Sequence, residues 1–237
     1  MAYWVIYTGF MPISPGTAAA SQGTPRERRR IQTRQEILDA ALAVMAQQGV
    51  AALNLTEVAR RVGLRQPSLY QYFSSRTAVY DALFERGMHA HHTLMAAALG
   101  DGTSGWPAVR TAMHHTLRFT AEQPVLAQLL FTQAVPGFVP SPGAYAPSLR
   151  VQQLLTTAMT TAVERGQLHP AAASDDGIAL LLAIVAGIGS QQAANDPTTK
   201  YDDGRYTRLL DPALDMYAAH FTPTHPPTWT PWPQRPR

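Results

Sequence analysis

LNLTEVARRVGLRQPSLYQYFSSRTAVYDALF, residues 53–84, is the stretch that decides the fold. Asn54 precedes Glu57 by three residues, which is the spacing of a capping box that starts a helix. Apolar side chains continue through the next turn as far as Gly63, and this predicts a helix of barely two turns. Upstream, apolar residues recur at three- and four-residue steps from about Thr33 to Gln48 and predict a longer first helix.

A very short third helix and a long fourth helix are predicted after the Gly63 turn. Pro67 is tolerated in a first helical turn, so the third helix should run from about Gln66 to about Tyr72. One of the serines at positions 74 and 75 can cap the fourth helix, which carries apolar residues to about Leu99. Two short helices joined by a tight turn form the layout of a helix-turn-helix.

The third helix has the properties of a helix that reads DNA. The major groove is about 12 Å wide and admits one helix, so the reader must be short, rigidly held and polar on its outer face. Leu69 and Phe73 supply an apolar inner side. Glutamine and serine side chains on the other side can bond to base edges, and a proline or tyrosine ring can touch a thymine methyl group. The predicted DNA-contacting residues are Arg34, Thr56, Gln66, Pro67, Ser68, Tyr70, Gln71, Tyr72 and Arg76.

Within this set, the two tyrosines and Arg76 are predicted to hold phosphates, which positions a protein without reading sequence. Tyr70 has the alternative of packing beside Leu64. The arginines at 28–30 precede the predicted first helix, where they can reach the backbone or a minor groove. The alternative for these arginines is a solvated basic arm.

Charge is concentrated around these helices. Nine arginines lie between Arg26 and Arg76 against four acidic residues, a local charge of +5 in a chain of net charge +3. Such a positive region is where a polyanion would bind. The 237 residues, 46% of them apolar, can bury a sizeable core, and the absence of cysteine excludes disulfides, thiol nucleophiles and cysteine-based zinc sites.

The segment Arg34–Arg86 resembles the N-terminal DNA-binding domain of the TetR family of transcriptional regulators. The shared pattern comprises the first-helix sequence ILDAALAVMAQQG, the capped TEVARRVGL, the SLYQYF ending and a basic residue three beyond Phe73. Thr56 departs from it, since many members carry arginine at that position. The resemblance implies a DNA-binding regulator, by family habit a repressor, with a helical C-terminal domain for ligand binding and dimerisation.

The chain as a whole is predicted to be all-α, with about nine helices and no β-hairpin pattern. Residues 1–25 are interpreted as a flexible arm, 26–80 as the helix-turn-helix domain, 81–222 as the ligand-binding and dimerisation domain, and 223–237 as a proline-rich tail. Beyond the fourth helix, helices are predicted at 107–121, 124–133, 148–165, 174–194 and 205–220. Pro136–Pro147 is expected to be a loop.

A homodimer would present two recognition helices to a palindromic DNA site. Its predicted interface is a four-helix contact through Leu181, Ile184, Val185, Ile188, Leu210, Leu214 and Tyr217. The alternative is that these helices form an ordinary internal hairpin. A mostly apolar effector pocket is predicted at Trp106, Met113, Leu117, Phe131 and Met159, residues that could equally be plain core.

Two alternatives to a DNA-binding regulator remain open. One is a metal-binding protein or metalloenzyme built on the histidines at 89, 91, 92, 114 and 115, although no HExxH motif is present. The other is a helical scaffold that binds no DNA. We predict no catalytic residues, no metal and no cofactor. The longest apolar run, Ile178–Ile188, is too short to cross a bilayer, so a cytoplasmic protein is expected.

Overall fold

The computed structural model describes residues 24–100 and 104–224, and these fold into nine α-helices without a strand. The predicted N-terminal arm and proline-rich tail lie almost entirely outside the described residues. The helices are α1 Pro25–Gln48, α2 Leu55–Arg61, α3 Gln66–Leu69, α4 Arg76–Gly100, α5 Trp106–Glu122, α6 Pro124–Phe131, α7 Pro142–Glu164, α8 Asp175–Asn195 and α9 Leu210–His220. The all-α prediction is confirmed.

The first helix begins eight residues earlier than the hydrophobic pattern indicates. Thr24 and Glu27 form a capping box, and a proline occupies the first helical position. Every residue from Pro25 to Gln32 is exposed, and the buried face begins only at Ile37. The arginines at positions 28–30 therefore lie on a helix that extends beyond the core, and not on an arm that precedes it.

The short helices α2 and α3 are set by a cap and a turn. The Asn54 Oδ1 atom accepts from the backbone N–H groups of Thr56 (3.0 Å) and Glu57 (3.4 Å). Gly63 closes α2 with a φ of 67°, in the left-handed region that favours glycine. Helix α3 ends at Leu69, three residues sooner than predicted, and the chain continues to Phe73 in hydrogen-bonded turns.

Among the remaining helices, α5, α6 and α7 pack against α4, while α8 packs against α5 and α9 packs against α8. Helix α7 starts at Pro142, inside the stretch predicted as a loop. Ser141 caps it and is itself held by Asp81 of α4, whose carboxylate accepts from the serine N–H (2.7 Å) and hydroxyl (2.6 Å). Two short 3-10 turns precede α9, which therefore begins at Leu210 and not near residue 205.

Most of the predicted dimer-contact residues are buried within the protomer itself. Leu181, Val185, Leu210, Leu214 and Tyr217 are each at most 4% exposed, so they belong to the protomer's own core and cannot also cover a partner. This corrects their assignment, because an apolar periodicity does not tell which face of a helix turns inward. Ile184 and Ile188, the other two, are partly buried.

By length and composition alone, helix α8 could cross a membrane. Its central apolar run, residues 178–188, is too short to do so by itself. Its mean hydropathy over 18 residues reaches 1.6, and 39% of that window is buried. The Tyr217 hydroxyl of α9 donates to the Gly177 carbonyl oxygen at the start of α8 (3.0 Å). In the structure, α8 packs against α5 and α9.

Candidate nucleic-acid interface and ligand cavity

Helix α3 has one buried side and one exposed side. Leu69 is fully buried and Phe73, just after the helix, is 2% exposed. Gln66, Pro67 and Gln71 are exposed, and Tyr70 is 45% exposed. The structure therefore presents these four predicted DNA-contacting side chains together, and it leaves Tyr70 in solvent instead of packing it into the core.

The end of α3 is attached to α1 by Arg34. Its Nη1 atom donates to the Tyr72 carbonyl oxygen (2.8 Å), and its guanidinium group lies 4.0 Å from the centroid of the Phe73 ring. Both contacts hold the chain just beyond the candidate reading helix. Arg34 thus has a positioning role that its place in the sequence does not reveal.

Ion pairing reduces the local positive charge on α2. The Glu57 carboxylate accepts from Arg60 and from Arg61, each at 2.8 Å. These hydrogen bonds, first from Arg60 and then from Arg61, lower the pKa of Glu57 to about 2, so the carboxylate is ionised at neutral pH. Arg61 also donates to Gln47 of α1. Arg61 therefore also ties α2 to α1, whereas the Arg60–Glu57 pair lies within α2.

Two other arginines flank the exposed side of α3. Arg65 immediately precedes Gln66 and Arg76 begins α4; both are exposed and form no ion pair within the described part of the chain. Arg76 is among the residues predicted from the sequence to contact DNA, and Arg65 is not. The signal was a basic residue directly before the first turn of the reading helix, where a phosphate would approach.

The other predicted DNA-contacting residues differ in exposure. The Thr56 side chain is exposed on the first turn of α2, whereas Ser68 and Tyr72 are partly buried. Ser68 and Tyr72 therefore have less surface to offer than Gln66 or Gln71. The candidate interface combines a polar helix face with cationic groups on its borders.

A separate cavity of about 490 Å³ lies between α5, α6 and α8. Of the five predicted pocket residues, Met113 and Phe131 line it. The other three do not. Trp106 stacks on Tyr217 with ring centroids 5.4 Å apart, and Leu117 and Met159 are completely buried in the core.

The histidines do not assemble into a metal site. Among the described residues, no group of three or more histidine, aspartate or glutamate side chains could hold a metal ion. His91 is 1% exposed with its Nε2 atom 3.4 Å from the Thr116 hydroxyl, and burial lowers its pKa to about 3. His114 instead lies within hydrogen-bonding distance of the Tyr201 hydroxyl and Asp211.

Comparison with known proteins supports the interpretation of the N-terminal helices as a helix-turn-helix domain. Residues 37–83 match the family described as bacterial regulatory proteins, tetR family. The regulator SrpR of Pseudomonas putida is 35% identical over 82 residues, which are 35% of this chain and 38% of SrpR. The class D tetracycline repressor protein of Escherichia coli is 31% identical over 68 residues, covering 29% of this chain and 31% of that protein.

The C-terminal helices are matched by structure. The TetR family transcriptional regulator PfmR from Thermus thermophilus superposes with a TM-score of 0.60 and 18% identity, over 77% of this chain and 97% of PfmR. At that identity the likeness shows the fold alone. Residues 37–83 of this chain thus match the tetR family of bacterial regulatory proteins, and its helices share the fold of a solved member of that family.

Proposed function

We propose that the chain is a sequence-specific transcriptional regulator, a repressor that binds a palindromic operator as a homodimer and leaves it when a small molecule binds. The observation that carries the proposal is the exposed polar side of α3, with Gln66 and Gln71 in solvent while Leu69 and Phe73 fix the helix from behind. A glutamine amide can bond bidentately to adenine. The class D relative is by name a repressor.

Arg65 and Arg76 are proposed to bind phosphates on either side of the bases that α3 reads. Arg34 is proposed to act by positioning, since its contacts hold Tyr72 and Phe73. Base contacts would then decide which duplex is chosen, and the arginines would add affinity for every duplex.

The homodimer is proposed to form through the exposed sides of α8 and α9. On α8, the residues turned away from the core include Ala183 and Gly187, which are exposed and small enough for close helix approach, beside the partly buried Ile184 and Ile188. On α9, Met216 is 73% exposed and so is available to contact a partner. A two-fold contact there would place two α3 helices about 34 Å apart or a multiple of that spacing.

Helix α6 is proposed to couple the cavity to the DNA-binding helices. One side of α6, including Phe131, lines the cavity, and the other side packs on α4 through Leu126 and Leu130. Helix α4 carries a glycine, Gly87, at this contact: a Cβ atom there would lie 2.8 Å from a Leu130 methyl carbon. A ligand that displaces α6 would shift α4 and the attached α3, provided that it binds the DNA-incompetent state more tightly.

The division into a DNA-binding domain at 26–80 and a ligand-binding domain at 81–222 is part of this proposal, and so is a cytoplasmic location. Helix α4 crosses the proposed boundary without a break, which would let motion in one domain reach the other.

Selection of bound sequences from a randomised duplex pool tests the proposal. It should be run with purified protein at about 0.15 M salt, so that nonspecific phosphate binding is suppressed. Recovery of a palindrome would establish a dimeric sequence reader and supply the operator for a release assay. If the retained DNA is random and only salt-sensitive, the proposed function is wrong. A Gln66→Ala, Gln71→Ala double variant, which alters only the exposed polar side, should recover no palindrome.

A further inference from the structure

The cavity between α5, α6 and α8 has no charged lining. Its floor is buried and apolar, with Met113 and Leu182 at 0% and 6% exposed, and no Asp, Glu, Lys, Arg or His lines it. The polar side chains of the lining are Thr116, Thr120, Gln128, Thr132 and Ser190. A volume of about 490 Å³ is in the range of small-molecule sites. An ionised group placed on this floor would lose hydration without gaining a counter-ion.

The nearest ionisable group behind the floor is also uncharged. His91 of α4 lies behind Thr116, with 3.4 Å between its Nε2 atom and the threonine hydroxyl oxygen. Because burial lowers the pKa of His91 to about 3, the ring is neutral at pH 7. It therefore gives the cavity no positive charge that would attract a carboxylate.

The threonine hydroxyls of the cavity have already used their only hydrogen. Thr116 donates to the Ala112 carbonyl oxygen (2.9 Å) and Thr120 to that of Leu117 (2.7 Å). The Thr132 hydroxyl likewise donates to the carbonyl oxygen of residue 128 (2.8 Å). A hydroxyl group has one hydrogen and two lone pairs, so in this arrangement the three groups accept a hydrogen bond from a ligand.

Thr120 is the partly buried acceptor of the three and lines the cavity between the core and the rim. Gly189 of α8 lies opposite, and a Cβ atom at that position would be 3.1 Å from the Thr120 hydroxyl oxygen. Any side chain at position 189 would therefore crowd this oxygen. Thr116 is more deeply buried, at 6% exposed, and has His91 beside it, while Thr132 is exposed at the rim.

We propose that this cavity binds an uncharged, mostly apolar effector that carries a hydrogen-bond donor, such as a phenolic or alcoholic hydroxyl, and that Thr120 accepts that hydrogen bond. The inference rests on the proposed ligand response and specifies its chemical class. At Thr120 a ketone, ester or ether of the same shape would place an oxygen against the threonine oxygen without a hydrogen between them. The lining residues that can donate, Gln128 and Ser190, are exposed and lie away from the buried floor. An anion would be bound least well.

Three naphthalene derivatives of one shape test the class by calorimetry on the full chain at pH 7. The donor 2-naphthol should bind about 3- to 10-fold more tightly than its ether 2-methoxynaphthalene, the gain of one net hydrogen bond. The anion 2-naphthoate should bind most weakly. In Thr120→Val the preference for naphthol over its ether should fall below about 2-fold, because the substitution keeps the shape and removes the acceptor.

Thr111→Val is the matched control. Thr111 lies on the same helix and also donates to a carbonyl oxygen of its own helix, that of Pro107 (3.2 Å), but it does not line the cavity. It should keep the wild-type preference for naphthol. Gly189→Ala should weaken naphthol binding, since its methyl group takes the space beside the Thr120 oxygen.

Any one of four results would overturn the inference. These are equal affinity for naphthol and its ether, tighter binding of naphthoate than of naphthol, an unchanged preference in Thr120→Val, and no naphthol binding at about 1 mM. Because binding is measured without DNA, its failure is separate from failure of the proposed function. Recovery of a palindromic operator with no naphthol preference would overturn the ligand class alone. A naphthol preference without any selected DNA would support the ligand class and contradict the proposed function as a DNA-binding regulator.

Discussion

Replacing Arg34 by methionine separates a positioning role from a phosphate contact. The arginine donates to the Tyr72 carbonyl oxygen (2.8 Å) and covers the Phe73 ring at 4.0 Å. A hydrogen bond contributes about 1 kcal/mol net, the value used here because the pair is exposed, and an exposed cation–π contact contributes about 0.5–1 kcal/mol. Methionine keeps an apolar stem against the ring, so the variant should destabilise the end of α3 by about 1.5 kcal/mol.

Hydrogen exchange measures this effect at the affected turn. The Phe73 N–H donates to the Leu69 carbonyl oxygen (3.1 Å), and its exchange should become roughly ten-fold faster in Arg34→Met. DNA affinity should fall for all duplexes because α3 is held less rigidly. The dependence of affinity on salt should stay as in the wild type, since no phosphate contact is removed.

Arg76→Met is the matched comparison, because Arg76 is exposed at the start of α4. Its loss should reduce the slope of log affinity against log salt by about 0.9 and leave the exchange of residue 73 unchanged. If Arg34→Met instead shows that loss of slope while the Phe73 amide exchanges at the wild-type rate, Arg34 binds a phosphate and our assignment of its role is refuted.

Three further changes test the interface, the packing and the buried histidine. Gln66→Ala should cost about 1–3 kcal/mol on one operator and relax preference at one base pair in binding assays; equal weakening on random DNA would contradict its role. Gly177→Ala should destabilise by about 2–3 kcal/mol in urea unfolding, because its Cβ atom would clash with two backbone carbonyl oxygens, whereas the exposed helical Gly143→Ala should not destabilise. Folding lowers the pKa of His91 to about 3. Between about pH 6.5 and about pH 3 only the unfolded chain binds this proton, so the free energy of unfolding should fall by about 1.4 kcal/mol for each pH unit of acidification because of this residue. That share should vanish in His91→Met and persist in the exposed variant His89→Gln.

Local chemistry explains why the DNA-binding helices could be predicted from the sequence. The Asn54 cap and the left-handed Gly63 act within a few residues, so α2 and the turn behind it depend on adjacent positions. The exposure of Gln66 on α3, and of Gln71 in the turn after it, follows from the same argument, because Leu69 and Phe73 define the side that turns inward.

The errors have their origin in contacts between distant parts of the chain. The start of α7 was predicted to be a loop because it is rich in proline and glycine, yet Asp81 holds the capping Ser141 from 60 residues away. A proline at the first position of that helix costs no hydrogen bond. The dimer residues failed for a related reason, since Leu181 and Val185 are apolar whichever surface they cover. Likewise, no local pattern indicates that Arg34 reaches Tyr72.

The exposed first turns of α1 make DNA affinity depend on a helix–coil balance. Between Pro25 and Gln32 no side chain is buried, so these turns are held only by their own hydrogen bonds and by the Thr24–Glu27 cap. Helix ends that bury no side chain fray readily in water. A duplex that contacted the arginines there would have to order whatever fraction of chains is frayed, at an entropic cost for each residue. The strength of one N-terminal cap would then adjust the affinity for all DNA without any change in charge.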